Sequence, residues 1–172
     1  MSGLEVSELC AELSTFVAGR RLDDNVQVLL RFGSGARGAL WASQVAPGNE
    51  NNLRRRVYGS RAGLEWRQEQ PNQLHWSPFG EPTQTISRAT GAAGAAAARV
   101  SRIPAGHPEG YLEAFATLYG EIAQAVRAAR PGGAAVDAAS HFPGLDDGIE
   151  GVEFIEAVVA SSRAGGTWVR LG

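Results

Sequence analysis

Along the first two-thirds of the chain, apolar and polar residues alternate with a period of two, the repeat of a strand half-buried in a sheet. Across "CAELSTFV" and the Leu9 before it, Leu9, Ala11, Leu13, Thr15 and Val17 share one side. "NVQVLLRF" (25–32) has the length and the Val and Leu content of a strand. "ALWASQV" follows, with Leu40, Ala42 and Gln44 set against Trp41, Ser43 and Val45. Beyond the break at "APGNENN", the stretches "LRRRVYGS" and "AGLEWRQ" alternate again and predict two more strands. "EQPNQLHWSPFGEP" sets Pro71, Pro78 and Pro82 around the short apolar piece Leu74 to Trp76. Proline cannot donate to a central ladder, so this piece is predicted as an edge strand. From 89 to 98, "ATGAAGAAAA" offers no side chain large enough to anchor in a core, which predicts a mobile loop.

The period changes near the end. "GHPEGYLEAFATLYGEIAQAVRAARPGG" carries Leu112, Phe115, Tyr119, Ile122, Val126 and Ala129 at steps of three and four, one stripe of a helix. Pro108 suits its first position, Glu109 and Glu113 its positive end, and Arg127 and Arg130 its negative end. A second helix is predicted from about Asp147 to Ser162, with Ile149, Val152, Ile155 and Val159 as its stripe and Gly165 and Gly166 as its stop. Both stripes read as core. "TWVRL" reads as a last strand. Strands grouped first and helices grouped last predict an α+β fold: an open, mainly antiparallel β-sheet with helices on one face, one domain over residues 1–172. Trp41, Tyr58, Trp66 and Trp168 are many aromatics for a solvated face, so the sheet is expected to join copies into a homo-oligomer.

Gly33, Gly35 and Gly38 have the G-x-G-x-x-G spacing of a dinucleotide-binding turn. That fingerprint works only where a strand leads in and a helix leaves, because the pyrophosphate sits on the helix N-terminus. Here the following residues alternate as a strand. A β-hairpin turned by "GSGA" accounts for the glycines, and no cofactor is expected on this chain alone. Composition narrows the rest. The formal net charge is −2 over 172 residues, which gives no general attraction to nucleic acid. All 16 Lys+Arg residues are Arg, so the chain supplies no Schiff-base amine and no phosphate-loop lysine. The single cysteine, Cys10, makes no internal disulfide and suits a reducing cytoplasm as a small buried side chain. No run reaches the ~18 apolar residues of a membrane span.

Three stretches, "LDDNVQVLLRFGSGARGALWASQVAPGNENNLRRRVYGSRAGLEWRQEQPNQL", "AGHPEGYLEAFATLY" and "DDGIEGVEFIEAVVASSRAGGTWV", closely resemble, in order, the C-terminal half of the glucose-fructose oxidoreductase, inositol dehydrogenase and MocA (Gfo/Idh/MocA) family. The resemblance implies a domain that shapes a sugar or polyol site and mediates oligomerisation, beside a Rossmann domain that binds NAD or NADP. The family's E-K-P and D-x-x-x-H motifs have no counterpart here, so the chain by itself is expected to be inactive. The alternative is a non-enzymatic module that keeps the sheet for association with itself or another chain.

Within "AGHPEGY", His107, Glu109 and Tyr111 stand at a loop-to-helix junction, where polar side chains and free N–H groups point outward together. They are the candidate substrate-binding residues. No catalytic residue is assigned. His75 and His141 have no Cys or acid at ligand spacing, so no metal is assigned. In Arg54, Arg55 and Arg56, the middle residue faces opposite to the others on a strand, and the triplet reads as a solvated edge or a set of ion pairs rather than an anion site.

Overall fold

The computed structural model describes residues 3–135 and 142–172. His141 lies outside them. The α+β class stands, but the strands form two open four-stranded antiparallel sheets instead of one. The chain divides into two compact units, Met1–Gly48 with Pro143–Gly172, and Asn49–Phe142.

The first unit contains β1 (Val6–Ser14), β2 (Asn25–Phe32) and β3 (Arg37–Ser43), with the short β8 (Val169–Arg170) completing the order β3-β2-β1-β8. The register sets Leu9 opposite Leu30, Ala11 opposite Val28 and Leu13 opposite Val26, so alternation brings the apolar residues of both strands to one face. Helix α3 (Leu145–Arg163) packs there and completes a core of Leu9, Ala11, Val28, Ala157 and Val158. Full burial of a side chain the size of Leu9 or Val28 contributes about 1.5–3 kcal/mol. β8 pairs only with Glu8 and Leu9, and the next N–H groups of β1 would lack partners. Two α3 hydroxyls take them: Ser161 Oγ accepts from Ala11 N at 2.8 Å and Ser162 Oγ from Leu13 N at 3.0 Å.

These bonds correct the predicted orientation of α3. Phe154, Ala157, Val158 and Ser161 face the sheet, while Ile149, Val152 and Ile155 are exposed. Small side chains bring the helix close enough for its serines to reach β1, and this outweighs burial of the larger stripe.

The glycine turn is a hairpin, as expected. Phe32 N donates to Ala36 O at 3.1 Å, and Gly35 N donates to Phe32 O at 2.9 Å. Gly35 has φ +90°, which glycine alone adopts without strain, and β3 follows where a nucleotide fold would place a helix. Gly38 serves packing: a Cβ there would stand 3.1 Å from Phe32 Cε2.

The second unit contains β4 (Arg54–Tyr58), β5 (Ala62–Arg67), β6 (Gln73–Pro78) and β7 (Gln84–Ser87), in that spatial order. β6 is therefore an interior strand, against the expectation of an edge. Its one proline, Pro78, ends the strand beyond the last β7 pair, so no ladder bond is lost on that side. β7 was not anticipated. Register separates two faces. Val57, Leu64 and Trp76 lie in one row and Arg55, Trp66, Leu74 and Ile86 in the next, whereas Arg56, Glu65, His75 and Thr85 form a row on the opposite face. The four aromatics expected to share one face are consequently divided: Trp41 and Trp168 belong to the first unit, and Tyr58 and Trp66 to opposite faces of the second sheet.

The segment expected as a loop at 89–98 instead carries a 3-10 turn, Gly91–Ala93, and helix α1 (Gly94–Val100). Alanine is the best helix former, and local propensity decides where no large side chain does. Helix α2 (Tyr111–Ala128) begins three residues after Pro108, contrary to the predicted start, and Arg130 lies past its end. Its stripe is not core either: Leu112 is 75% exposed and Tyr119 65%.

Candidate functional site

The late start of α2 shapes an open cleft in the second unit. Gly110, extended at φ −175°, is the N-cap, and Glu113 three residues on reaches back so that its Oε2 accepts the Gly110 N–H at 2.9 Å. That bond, with further backbone bonding, holds the Glu113 carboxyl below the usual glutamate range. The residue is anionic at neutral pH and acts as an acceptor only.

Pro108 and Glu109 remain in the preceding loop because the Glu109 carboxylate is already engaged. Its Oε1 accepts from Arg102 N at 2.7 Å, its Oε2 from Ile103 N at 3.1 Å, and Arg88 Nη1 pairs with Oε2 at 2.6 Å. Arg88 continues outward from that pair. Its Nε donates to Asn72 Oδ1 at 2.7 Å, Nη1 to Ile103 O at 2.6 Å and Nη2 to His107 O at 2.8 Å. One guanidinium thus joins the turn before β6, the 103–109 loop and the entrance to α2.

The open cleft so formed measures about 520 Å³ and is walled by Glu69 to Gln73 on one side and Pro108 to Glu113 on the other. Trp66 Nε1 steadies the first wall by donating to Pro71 O at 3.2 Å. A Cβ at Gly110 would stand 2.9 Å from Pro71 Cγ, so the two walls meet at a glycine. Tyr111 stands on the second wall, exposed, with its ring 4.9 Å from that of Phe115.

Of the three sequence candidates, Glu109 and Tyr111 belong to the cleft wall. The Glu109 side chain is buried and committed to Arg88 and two backbone N–H groups, while Tyr111 is open to a ligand. His107 is exposed and outside the lining; its carbonyl is bonded to Arg88. Glu69, Asn72, Gln73, Glu113 and Arg88 were missed. The available signal was the polar cluster in "EQPNQ", which was read only as the flank of an edge strand. Carboxylates, amides and an exposed aromatic ring can together bond hydroxyl groups and cover an apolar ring face. Among the described residues no group of three or more His, Cys, Asp or Glu could hold a metal. Among the described residues no helix is long and apolar enough to cross a membrane. The hairpin at Gly33 to Gly38 does not fit a dinucleotide, having no helix N-terminus behind it.

Comparison with known proteins agrees with this architecture. The family model of the GFO/IDH/MocA C-terminal domain matches residues 1–65. An uncharacterized oxidoreductase of Bacillus subtilis (strain 168), YfiI, is 34% identical over 170 residues, covering 98% of this chain and 43% of that protein. An oxidoreductase from Sinorhizobium meliloti has a similar structure, with TM-score 0.91 and 53% identity over 98% of this chain and 47% of its own. An inositol dehydrogenase homolog from Azotobacter vinelandii, solved with NADH and myo-inositol, gives TM-score 0.93 and 38% identity over 98% and 45%. The chain spans about half the length of the relatives it matches.

Proposed function

The chain carries a C-terminal domain of the GFO/IDH/MocA oxidoreductase family, and from that premise we propose that it is the substrate-binding and oligomerisation part of an NAD(P)-dependent sugar or polyol dehydrogenase acting in the cytoplasm. The observation that carries this reading is the likeness, over 98% of the chain, to an inositol dehydrogenase homolog solved with NADH and myo-inositol. In this reading the nucleotide is held by a separate nucleotide-binding domain, in the same polypeptide or in another chain, and this chain alone does not turn over.

The cleft at the start of α2 is the proposed polyol subsite. Tyr111 is its platform, Glu113 and Glu69 accept hydroxyl hydrogen bonds, Glu109 fixes the wall, and His107 stands two residues upstream as an exposed ring on the same loop. Association is proposed through the apolar sheet face of Val57, Leu64, Trp66, Leu74, Trp76 and Ile86, of which Val57 is 48% exposed.

A chimera tests the enzymatic half: the nucleotide-binding half of the Azotobacter homolog joined to this chain. Saturable NAD-dependent oxidation of myo-inositol or another polyol is expected from the chimera and none from the chain alone. Turnover by the chain alone, or an inactive folded chimera across a polyol panel, would overturn the reading. Sedimentation tests the other half. A dimer or larger species is expected, shifting toward monomer in Trp76→Glu, and a monodisperse monomer at high concentration would remove the association role.

A further inference from the structure

The arginine triplet, set aside in sequence as an edge, takes on a different character once the neighbouring strands are in place. Arg54 and Arg56 share the polar face of the second sheet with Arg67, which lies directly opposite Arg54 in register. Like charges facing each other across a ladder are unfavourable without a counterion. The one carboxylate among these side chains is Glu65: Arg67 Nε bonds its Oε1 at 2.6 Å, and Arg54 Nε approaches the same oxygen at 3.8 Å. Arg56 stands opposite Glu65 and makes no hydrogen bond or ion pair of its own among the described residues. On the next strand, His75 is opposite Glu65, and its Nδ1 lies 3.3 Å from Thr85 Oγ1.

Three guanidiniums around one carboxylate leave a local charge of +2. Two of the three reach Glu65 through Nε, and among the described residues the Nη forks of all three make no hydrogen bond or ion pair on this face. We propose that Arg54, Arg56 and Arg67 form a binding site for the phosphate group of a small phosphate monoester. A guanidinium fork matches carboxylate and phosphate alike, and the charge separates them. A phosphate monoester carries about −1.5 to −2 at neutral pH, close to the excess, whereas a single carboxylate leaves half of it uncompensated. The site lies on the face opposite the apolar rows and is independent of the polyol cleft.

The test is a calorimetric titration of the whole chain with inorganic phosphate, with acetate as the monoanion, for the native chain and three variants. Arg56→Ala removes the exposed guanidinium and leaves the Glu65 pair intact; Arg21→Ala makes the same charge change in the other unit. Saturable phosphate binding is expected, stronger than acetate binding. Arg56→Ala should weaken it by about tenfold, the scale of one charge-assisted contact, and Arg21→Ala should leave it unchanged. Glu65→Gln should tighten it by removing the competing carboxylate. Absence of saturable binding, equal weakening by Arg56→Ala and Arg21→Ala, or acetate binding as tight as phosphate would each overturn the proposal.

Discussion

In the unit built from residues 1–48 and 143–172, the side chains withdrawn from water include Leu9, Ala11, Val28, Ala157 and Val158. In the unit of residues 49–142, the buried side chains among the described residues are two carboxylates, Glu109 and Glu121. Each has an arginine: Arg88 for Glu109 and Arg99 for Glu121. The apolar residues of that second unit, Val57 and Leu64 on its sheet and Leu112, Phe115 and Tyr119 on α2, remain exposed. A unit that closes over its charges and leaves apolar residues open carries the surface on which the proposed association rests. The first unit satisfies its own hydrophobic face.

The contrast is broken most forcefully at Arg88. Arg88→Ala leaves Glu109 buried without its cation, and removing one partner of a buried pair costs about 3–5 kcal/mol. Hydrogen exchange should accelerate at Arg102, Ile103 and Gly110 while β1 and β2 keep their protection. Uniform acceleration through both units would mean that they do not respond separately. The reciprocal change is Leu9→Ala, at a position 0% exposed. Truncation of such a core leucine costs about 2–5 kcal/mol, depending on how far the site collapses. Here β1, β2 and α3 should lose protection in denaturant titrations followed by exchange, with the Arg88 network least affected.

The same division explains what could be read from the chain. Alternation located β2 at its observed bounds and placed Leu9, Ala11 and Leu13 on the inner face of β1, because that core follows directly from period two. Period 3.6 located α2 and α3 but misassigned their inner faces. A stripe of large residues marks a surface to be buried without saying by what, and in α3 the sheet selected Ala157 and Ser161, whose small size permits close approach. β6 was called an edge since the prolines in and around it were visible and β7, which covers it, is too short and polar to announce itself. Of the candidate site, the "HPEGY" junction was legible from helix-start chemistry. Arg88 was not, because its partners, Asn72, Ile103, His107 and Glu109, lie in distant segments and none shares a periodic pattern with it.

Ser161 sharpens the comparison on a smaller scale, since it is a fully buried hydroxyl that serves the hydrophobic unit. It accepts from Ala11 N and donates to Thr167 O at 2.6 Å. Ser161→Ala keeps the packing volume close to the original but leaves the Ala11 N–H without a partner, a cost of about 1–3 kcal/mol. Ser161→Cys should recover little, sulfur being a weak acceptor. A thermal midpoint for the alanine variant equal to that of the native chain would show that water or β8 replaces the hydroxyl.

The smallest effects separate the two units by acid. Asp24 in the first unit accepts Phe16 N at 2.9 Å and Val17 N at 3.0 Å, with Arg20 at 3.6 Å, and these bonds, that from Phe16 foremost, hold its carboxyl below the usual aspartate range. A depressed folded pKa means that the unfolded chain binds the proton first. The stabilisation is therefore complete above the unfolded value, near 3.9, and disappears as pH falls through the folded one. Asp24→Asn should lower the thermal midpoint at neutral pH, because the amide presents an NH₂ to one of two backbone donors, and the two curves should converge in acid. Glu113 in the second unit is lowered for the same kind of reason, with the single bond from Gly110 N foremost. Its amide variant, Glu113→Gln, can keep that bond through Oε1, so the shift in midpoint should be smaller and its pH dependence shallower. If Glu113→Gln proves the more damaging, the start of α2 depends on the charge at the helix N-terminus rather than on the single hydrogen bond, and the cleft wall is an electrostatic construction like the Arg88 network beside it.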